Sequence, residues 1–311
     1  MKTQDTTPES IAVGGQAVIE GVMIRGKKFI ATAIRRSNGE IVLHKEPFLP
    51  LSDRYRIFKL PVFRGAIGIL EMLFIGIKTL NFSAELAIQD IDPVEHKSQS
   101  NVSLFFTMVV AFAGGILVFF AAPLFITTRL FSFEQNALLF NLFAGAIRLS
   151  ILLCYLWGIS YLKDVKRLFE YHGAEHKSIF AYENGKTLEV AEARRFVRFH
   201  PRCGTSFLFV VAFLAVLFFA VFDVFLLSVT GRLSLPLRLG THLPLIPILG
   251  GISYEGIKIS SRYSATMLGK FFIAPGLWLQ HITTREPSDD QLEVALTAVR
   301  AVTENDSLTN A

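Results

Sequence analysis

Along the chain, long charge-free apolar runs alternate with polar stretches. No charged residue occurs from Ser98 to Thr128, and about 20 apolar residues suffice to cross the hydrocarbon core of a bilayer. The core of this run, Leu104 to Ile126, predicts a first membrane span. A second run, from about Leu138 to Leu162, has Arg148 as its single charge, and a third, from Phe207 to about Val229, has only Asp223. The fourth, about Leu239 to Ile257, contains His242, Pro244, Pro247, Gly250, Gly251 and Glu255. Proline and glycine at that density predict a broken or tilted helix, because neighbouring groups must re-satisfy the freed backbone.

The polar stretches carry weaker periodicities. Phe29–Ile34 and Ile41–Leu43 flank Ser37-Asn38-Gly39, and an Asn-Gly step between β-prone runs predicts a hairpin. Before it, Gly14-Gly-Gln-Ala-Val-Ile-Glu-Gly-Val-Met-Ile-Arg-Gly26 places four glycines around a short apolar core. That pattern predicts a tight loop whose backbone approaches something closely. Residues 61–89 predict a helix with Arg64, Glu71 and Lys78 seven apart on one face, half-buried or interfacial rather than a fifth span. Met267–Ile282, with Phe271, Phe272, Trp278 and Leu279, is expected to rest at the interface. Asp290–Val302 predicts a short helix, and the last few residues are expected to fray.

The expected fold class is therefore an all-α polytopic membrane protein. It has about four transmembrane helices, one of them broken, plus interfacial helices and a small N-terminal β-hairpin element. Its parts are a glycine-rich loop and hairpin (1–60), an interfacial helix and linker (61–100), a first transmembrane hairpin (101–162), a His/Cys segment (163–205), a second transmembrane hairpin (206–260), and an interfacial helix with a tail (261–311).

Composition agrees: 51% of residues are apolar and 18% charged, against about a quarter charged in soluble domains. The first apolar run begins near residue 102, too late for a cleaved signal peptide. Lys and Arg number 13 in residues 1–101, 9 in 163–205 and 5 from Lys258 onward, and the short loops after the first and third spans hold only Arg129, Arg232 and Arg238. The positive-inside rule then puts both termini and the 163–205 segment in the cytoplasm, which makes this a multi-pass protein of the cytoplasmic membrane. The net charge of +5 needs no nucleic acid; basic residues facing anionic lipid account for it. Cys154 inside the second span and Cys203 in a cytoplasmic loop imply no disulfide framework.

Candidate chemistry gathers in 163–205. Tyr171-His172-Gly-Ala-Glu175-His176-Lys177 follows a helical stretch, so His172 and His176 share one face, a turn apart. Two imidazoles at that spacing can chelate one ion, with Glu175 beside them as a base or supporting group, in the reversed zincin order His-x-x-Glu-His. After an expected helix, Leu188–Phe199, comes His200-Pro201-Arg202-Cys203-Gly204-Thr205, a soft-metal pair on a turn. Glu20, Glu183 and Glu255 are the carboxylates that would complete a site, Glu255 first because an ionisable group at a membrane helix end needs a partner. Arg148 and Asp223, at depths of roughly 21 and 24 Å, are expected to pair with each other.

Four blocks in order, Gly14–Gly26, Tyr171–Lys177, His200-Pro-Arg-Cys-Gly-Thr-Ser206, and Pro275-Gly-Leu-Trp-Leu-Gln280 with Thr283-Thr-Arg-Glu-Pro287, resemble the YqhQ-type bacterial membrane family. The resemblance runs from about Ile11 to Val299 and implies a metal-dependent membrane enzyme with no assigned substrate. The leading expectation is a zinc-type hydrolase at the cytoplasmic face. A divalent transition metal, zinc first, is held by His172 and His176 with Cys203, His200 or Glu255 as third ligand, and Glu175 is the catalytic base. The alternative is a membrane scaffold or assembly factor whose His/Cys segment is a structural metal knuckle. The implied partners are the bilayer and an unidentified substrate.

Overall fold

The computed structural model describes residues 13–91, 101–262 and 266–307. The linker after residue 91 and the tail expected to fray beyond residue 307 lie outside the described residues. The chain begins with a four-stranded antiparallel meander in the order β1 (Gly14–Val18), β2 (Gly21–Arg25), β3 (Phe29–Arg35), β4 (Ile41–Pro47). The expected hairpin is β3–β4, turning at Gly39 with φ of 87°. The glycine-rich stretch is not a loop but a second hairpin, β1–β2, pairing Gly15 with Ile24 and Val18 with Gly21. Its alternation of apolar residues suits a strand, and its glycines serve close packing. A Cβ on Gly21 would stand 2.3 Å from the Ala33 carbonyl oxygen.

After α1 (Leu51–Arg54) and a 3-10 turn at Arg56–Lys59 come α2 (Phe63–Ile91), α3 (Asn101–Ile116), a π turn at Leu117–Ala121, α4 (Ala122–Leu130) and α5 (Ala137–Ile159). Then follow α6 (Lys163–Glu183), α7 (Val190–Ala193), α8 (Gly204–Thr230), α9 (Leu235–Arg262), α10 (Met267–Thr283) and α11 (Asp289–Ser307). Several boundaries have a visible cause. The Asn136 side chain accepts from the Leu139 N–H at the start of α5, and Gly231 ends α8 in a left-handed conformation, φ 72°. Ser288 and Gln291 cap each other at the start of α11.

Both faces of the sheet are covered. Val22, Ile24, Ala31 and Ala33 join a core with Tyr171, Ala174 and Ile179 of α6 and Leu292, Leu296 and Val299 of α11. On the other face Met23 and Ile30 meet Ile75 and Met72 of α2. The three charges seven apart on α2 each reach a different element: Arg64 to Glu255 on α9, Glu71 to the Leu51 N–H, and Lys78 to Glu46 on β4.

Five helical stretches are long and apolar enough to cross a membrane: Phe63–Asp90, Phe105–Leu130, Ala137–Ile159, Phe207–Thr230 and Leu235–Gly256. The molecule is thus mostly helical, its apolar helices suit a lipid bilayer, and its sheet is small and N-terminal. Three further expectations need correction. The fourth apolar run is not broken, since α9 is one helix with Pro244 and Pro247 inside it. The prolines free only the Gly240 and Leu243 carbonyls, while α9 packs against α2 at Gly250 and Gly251 and against α8 through Leu249, Ala215 and Phe219. The helix expected over Leu188–Phe199 shrinks to Val190–Ala193. Carbonyls beyond it are taken by α6 side chains, Arg194 by Lys177 and Arg198 by His176.

The third correction is that Arg148 and Asp223 do not pair. Arg148 donates to the Phe119 carbonyl, which lies in the π turn, where the i−4 ladder is interrupted. Asp223 is fully buried and accepts from Arg238 Nε at 2.8 Å, His242 Nε2 at 2.8 Å and Asn141 Nδ2 at 2.7 Å.

Candidate metal centre

The central residues come from two elements that a turn brings together. Helix α6 carries His172 and His176 one turn apart, with ring centroids separated by 4.4 Å. Cys203 caps the N-terminus of α8, where its sulfur accepts from the Thr205 N–H. One ligand atom from each of His172, His176 and Cys203 lies within 4.8 Å of the other two. His172 Nε2 is 3.2 Å from the Cys203 sulfur.

The imidazoles are held in one tautomer by backbone. His172 Nδ1 is 2.8 Å from the Thr283 carbonyl oxygen, and His176 Nδ1 is 2.5 Å from that of Arg198. A carbonyl only accepts, so each Nδ1 carries the proton and each Nε2 presents a lone pair. Such carbonyl partners orient metal-binding imidazoles and raise their basicity. His176 Nε2 is buried with no hydrogen-bond partner among the described residues. Burial holds the His176 ring below its usual range, which keeps the lone pair available. Burial pushes the Cys203 thiol up, but the nearby His176 ring and the Thr205 N–H and hydroxyl outweigh it and the net direction is down. The donor set therefore fits a divalent transition ion: two imidazoles tied at Nδ1 and a thiol biased towards thiolate at a helix N-terminus.

Glu175 is buried beside this cluster, and its Oε2 has no partner among the described residues. Burial pushes its carboxyl up to about 8, against the opposing influence of His172 and the Gly15 N–H. Two glycines let the surrounding chain come this close. A Cβ on Gly15 would lie 3.0 Å from the Glu175 carboxyl carbon, and one on Gly173 would lie 2.1 Å from the Arg285 carbonyl oxygen. The glycine inside the His-x-x-Glu-His run is thus where the α10–α11 connection crosses α6, bonded from Arg285 N to the Phe169 carbonyl.

The other candidates lie elsewhere. His200 lies behind His176, its ring tilted against it with centroids 5.5 Å apart, with Nε2 turned to Glu183 and Nδ1 accepting from Arg202 N. The Gln280 side chain clamps the His200 backbone at both N–H and carbonyl. The three carboxylates are each engaged by an arginine: Glu20 by Arg167, Glu183 by Arg202 and Glu255 by Arg64. Of the possible third ligands, the fold brings Cys203 to the histidine pair and leaves His200 and Glu255 in other bonds. Sequence reasoning missed the Thr283 and Arg198 carbonyls and the Gly15 N–H, because backbone groups carry no residue signature. The cluster opens onto a cleft of ≈ 2340 Å³ lined also by Gly14, Thr205 and Tyr254.

A family described as a protein of unknown function (DUF1385) matches residues 60–305. The "Uncharacterized protein YqhQ" of Bacillus subtilis (strain 168) is 36% identical over 299 residues, covering 92% of this chain and 90% of that protein. No solved structure matches.

Proposed function

The chain belongs to the DUF1385 family, and we propose that it is a metal-dependent hydrolase of the cytoplasmic membrane surface. In this reading His172, His176 and Cys203 hold a divalent transition ion, zinc by donor chemistry, and Glu175 moves the proton. The observation that supports it best is the convergence of three ligand atoms, with both Nδ1 positions tied to backbone, beside a buried carboxyl that has an unpartnered oxygen. Three converging protein ligands among the described residues leave a coordination position free, as catalytic zinc sites do, whereas structural sites close with four.

When bound, such an ion supplies Lewis acidity and lowers the pKa of water to about 7. Hydrolysis of a peptide, amide or ester bond takes one proton from water and returns one to the leaving group. Glu175 Oε2 is the atom available for both transfers. The Gly15 N–H steadies the ionised carboxylate, and the Thr283 and Arg198 carbonyls keep the two imidazoles from rotating away.

Topologically, we read four spans rather than five. The second half of α2 lies on the sheet, which shares its core with α6 and α11, so α2 follows the membrane surface. Both termini and the His/Cys segment then face the cytoplasm, in keeping with the Lys/Arg distribution. The test is metal analysis with one variant. Purified protein should carry about one zinc-type ion per chain, and Glu175→Gln should keep that ion and its thermal stability while abolishing function in cells. An intact Glu175→Gln phenotype would leave a structural metal knuckle as the better reading.

A further inference from the structure

The cleft continues past the His/Cys cluster around the edge strand β1. Gly14 has open space among the described residues where a Cβ would point. The register pairs Gly14 with Arg25. Along β2, Ile24 packs towards α6 and α11 while Met23 packs towards α2, and the pleat sends Arg25 to the α2 side. Its guanidinium meets the Met72 sulfur at 3.1 Å and sits 4.6 Å from the Phe48 ring centroid. Both Arg25 and the His/Cys cluster line the same cleft.

Arg25 differs from its neighbours in having no carboxylate. Arg36, Arg64 and Arg167 are each bonded to an acid, and Arg202, which also lines the cleft, is held by Glu183. No ion pair or carboxylate hydrogen bond to Arg25 occurs among the described residues, and its side-chain bond goes to sulfur, a weak acceptor. Glu71, Tyr254 and Asp53 act on it only from longer range, and Glu71 accepts from the Leu51 N–H. Burial pulls the guanidinium down from its usual range, so it carries a desolvation cost that no ion pair among the described residues offsets. Lys27, exposed and also lining the cleft, adds a second cation nearby.

A planar fork of N–H donors, flanked by an aromatic ring and a thioether and facing an open cleft, matches an oxyanion bound through two oxygens. The cleft reaches Thr205 at the start of α8 and Tyr254 near the end of α9, a level at which a bilayer presents its headgroups. We propose that the cleft binds a phosphate group at Arg25. Resting on the hydrolase reading above, this means that the enzyme's substrate carries a phosphate, either as a lipid headgroup or in a soluble molecule.

The experiment uses full-length protein in a neutral detergent, with two probes. Native mass spectrometry measures binding of phosphatidylglycerol against a phosphatidylcholine control, and calorimetry measures inorganic phosphate. Wild type should bind one of the two saturably, and which one identifies the source. Arg25→Gln should weaken that binding at least tenfold and Arg25→Lys by less, both with unchanged metal content. His172→Ala should lose metal and keep phosphate binding, so the two readings fail separately. Saturation by neither probe overturns the proposal, as does wild-type affinity in Arg25→Gln. If Arg25→Gln does not fold, wild-type affinity in Arg25→Lys overturns it.

Discussion

Two histidine-containing polar clusters sit about 30 Å apart along α8, counting 20 residues at ~1.5 Å each from Cys203 to Asp223, and they use their atoms in opposite ways. At the Cys203 end, His172 and His176 give their Nδ1 protons to backbone carbonyls, leaving two Nε2 lone pairs and a sulfur facing one another. At the Asp223 end, His242 Nε2, Arg238 Nε and Asn141 Nδ2 all converge on one carboxylate. The second cluster turns its donors onto one shared carboxylate; the first leaves its ligand atoms open to a common point. Which ring nitrogen is tied down, and by what, separates a candidate binding site from a packing device.

The largest expected effect breaks the first cluster alone. His172→Ala, His176→Ala and Cys203→Ala should each reduce the bound metal of purified protein from about one per chain to near zero, as two remaining donors rarely retain a zinc-type ion. Asp223→Asn should leave metal content unchanged. Elemental analysis checks both, and loss of metal on changing Asp223 would erase the distinction between the clusters.

The second cluster should instead answer in stability. Asp223→Ala leaves the Arg238 charge, whose side chain is 0% exposed, without its counter-ion, at a cost of about 3–5 kcal/mol. Pairing it with Arg238→Met should recover much of that loss. Pairing it with Arg148→Gln should not, because those two side chains share no bond and their effects should add. Thermal unfolding in detergent distinguishes the two cycles.

The elements themselves were largely legible in the sequence, because charge-free runs and period-two or period-seven patterns are properties of neighbouring residues. His172 and His176 could be paired from their spacing on one helix, and Cys203 could be narrowed to one of three candidate third ligands. The choice among the three depended on contacts across the chain: Arg64 reaching Glu255 and Gln280 clamping His200. Asp223 was matched with the wrong arginine for a related reason. Depth along a span says how far a charge lies from the interface, but not which helix face it occupies. The π turn that takes Arg148 has no sequence signature.

A smaller effect sharpens the first cluster. Gly173→Ala would drive a methyl group to 2.1 Å from the Arg285 carbonyl oxygen, so the α10–α11 connection must shift. That connection begins beside Thr283, whose carbonyl fixes His172. Metal affinity should fall by about 10–100-fold, the usual consequence of disturbing a ligand's supporting bond, with a stability loss of about 1–3 kcal/mol for overpacking. Metal titration of the stripped protein reads the first effect and thermal unfolding the second.

The smallest effect concerns whether α2 belongs with the sheet, α6 and α11 or with the apolar helices that suit a bilayer. Lys78 is 55% exposed and paired with Glu46 on β4. If α2 lies along the surface, this is an exposed ion pair, and Lys78→Ala should change stability by no more than about 1 kcal/mol. If α2 crossed the bilayer, Lys78 would lie 15 residues into the helix, roughly 22 Å from Phe63, and removing a mid-membrane charge would stabilise the protein by about 2.5–3.5 kcal/mol. Lys78→Cys in a Cys154→Ser background adds an independent reading. It should react with a membrane-impermeant maleimide from the side that labels α6 and α11. Protection from both sides would turn α2 into a fifth span.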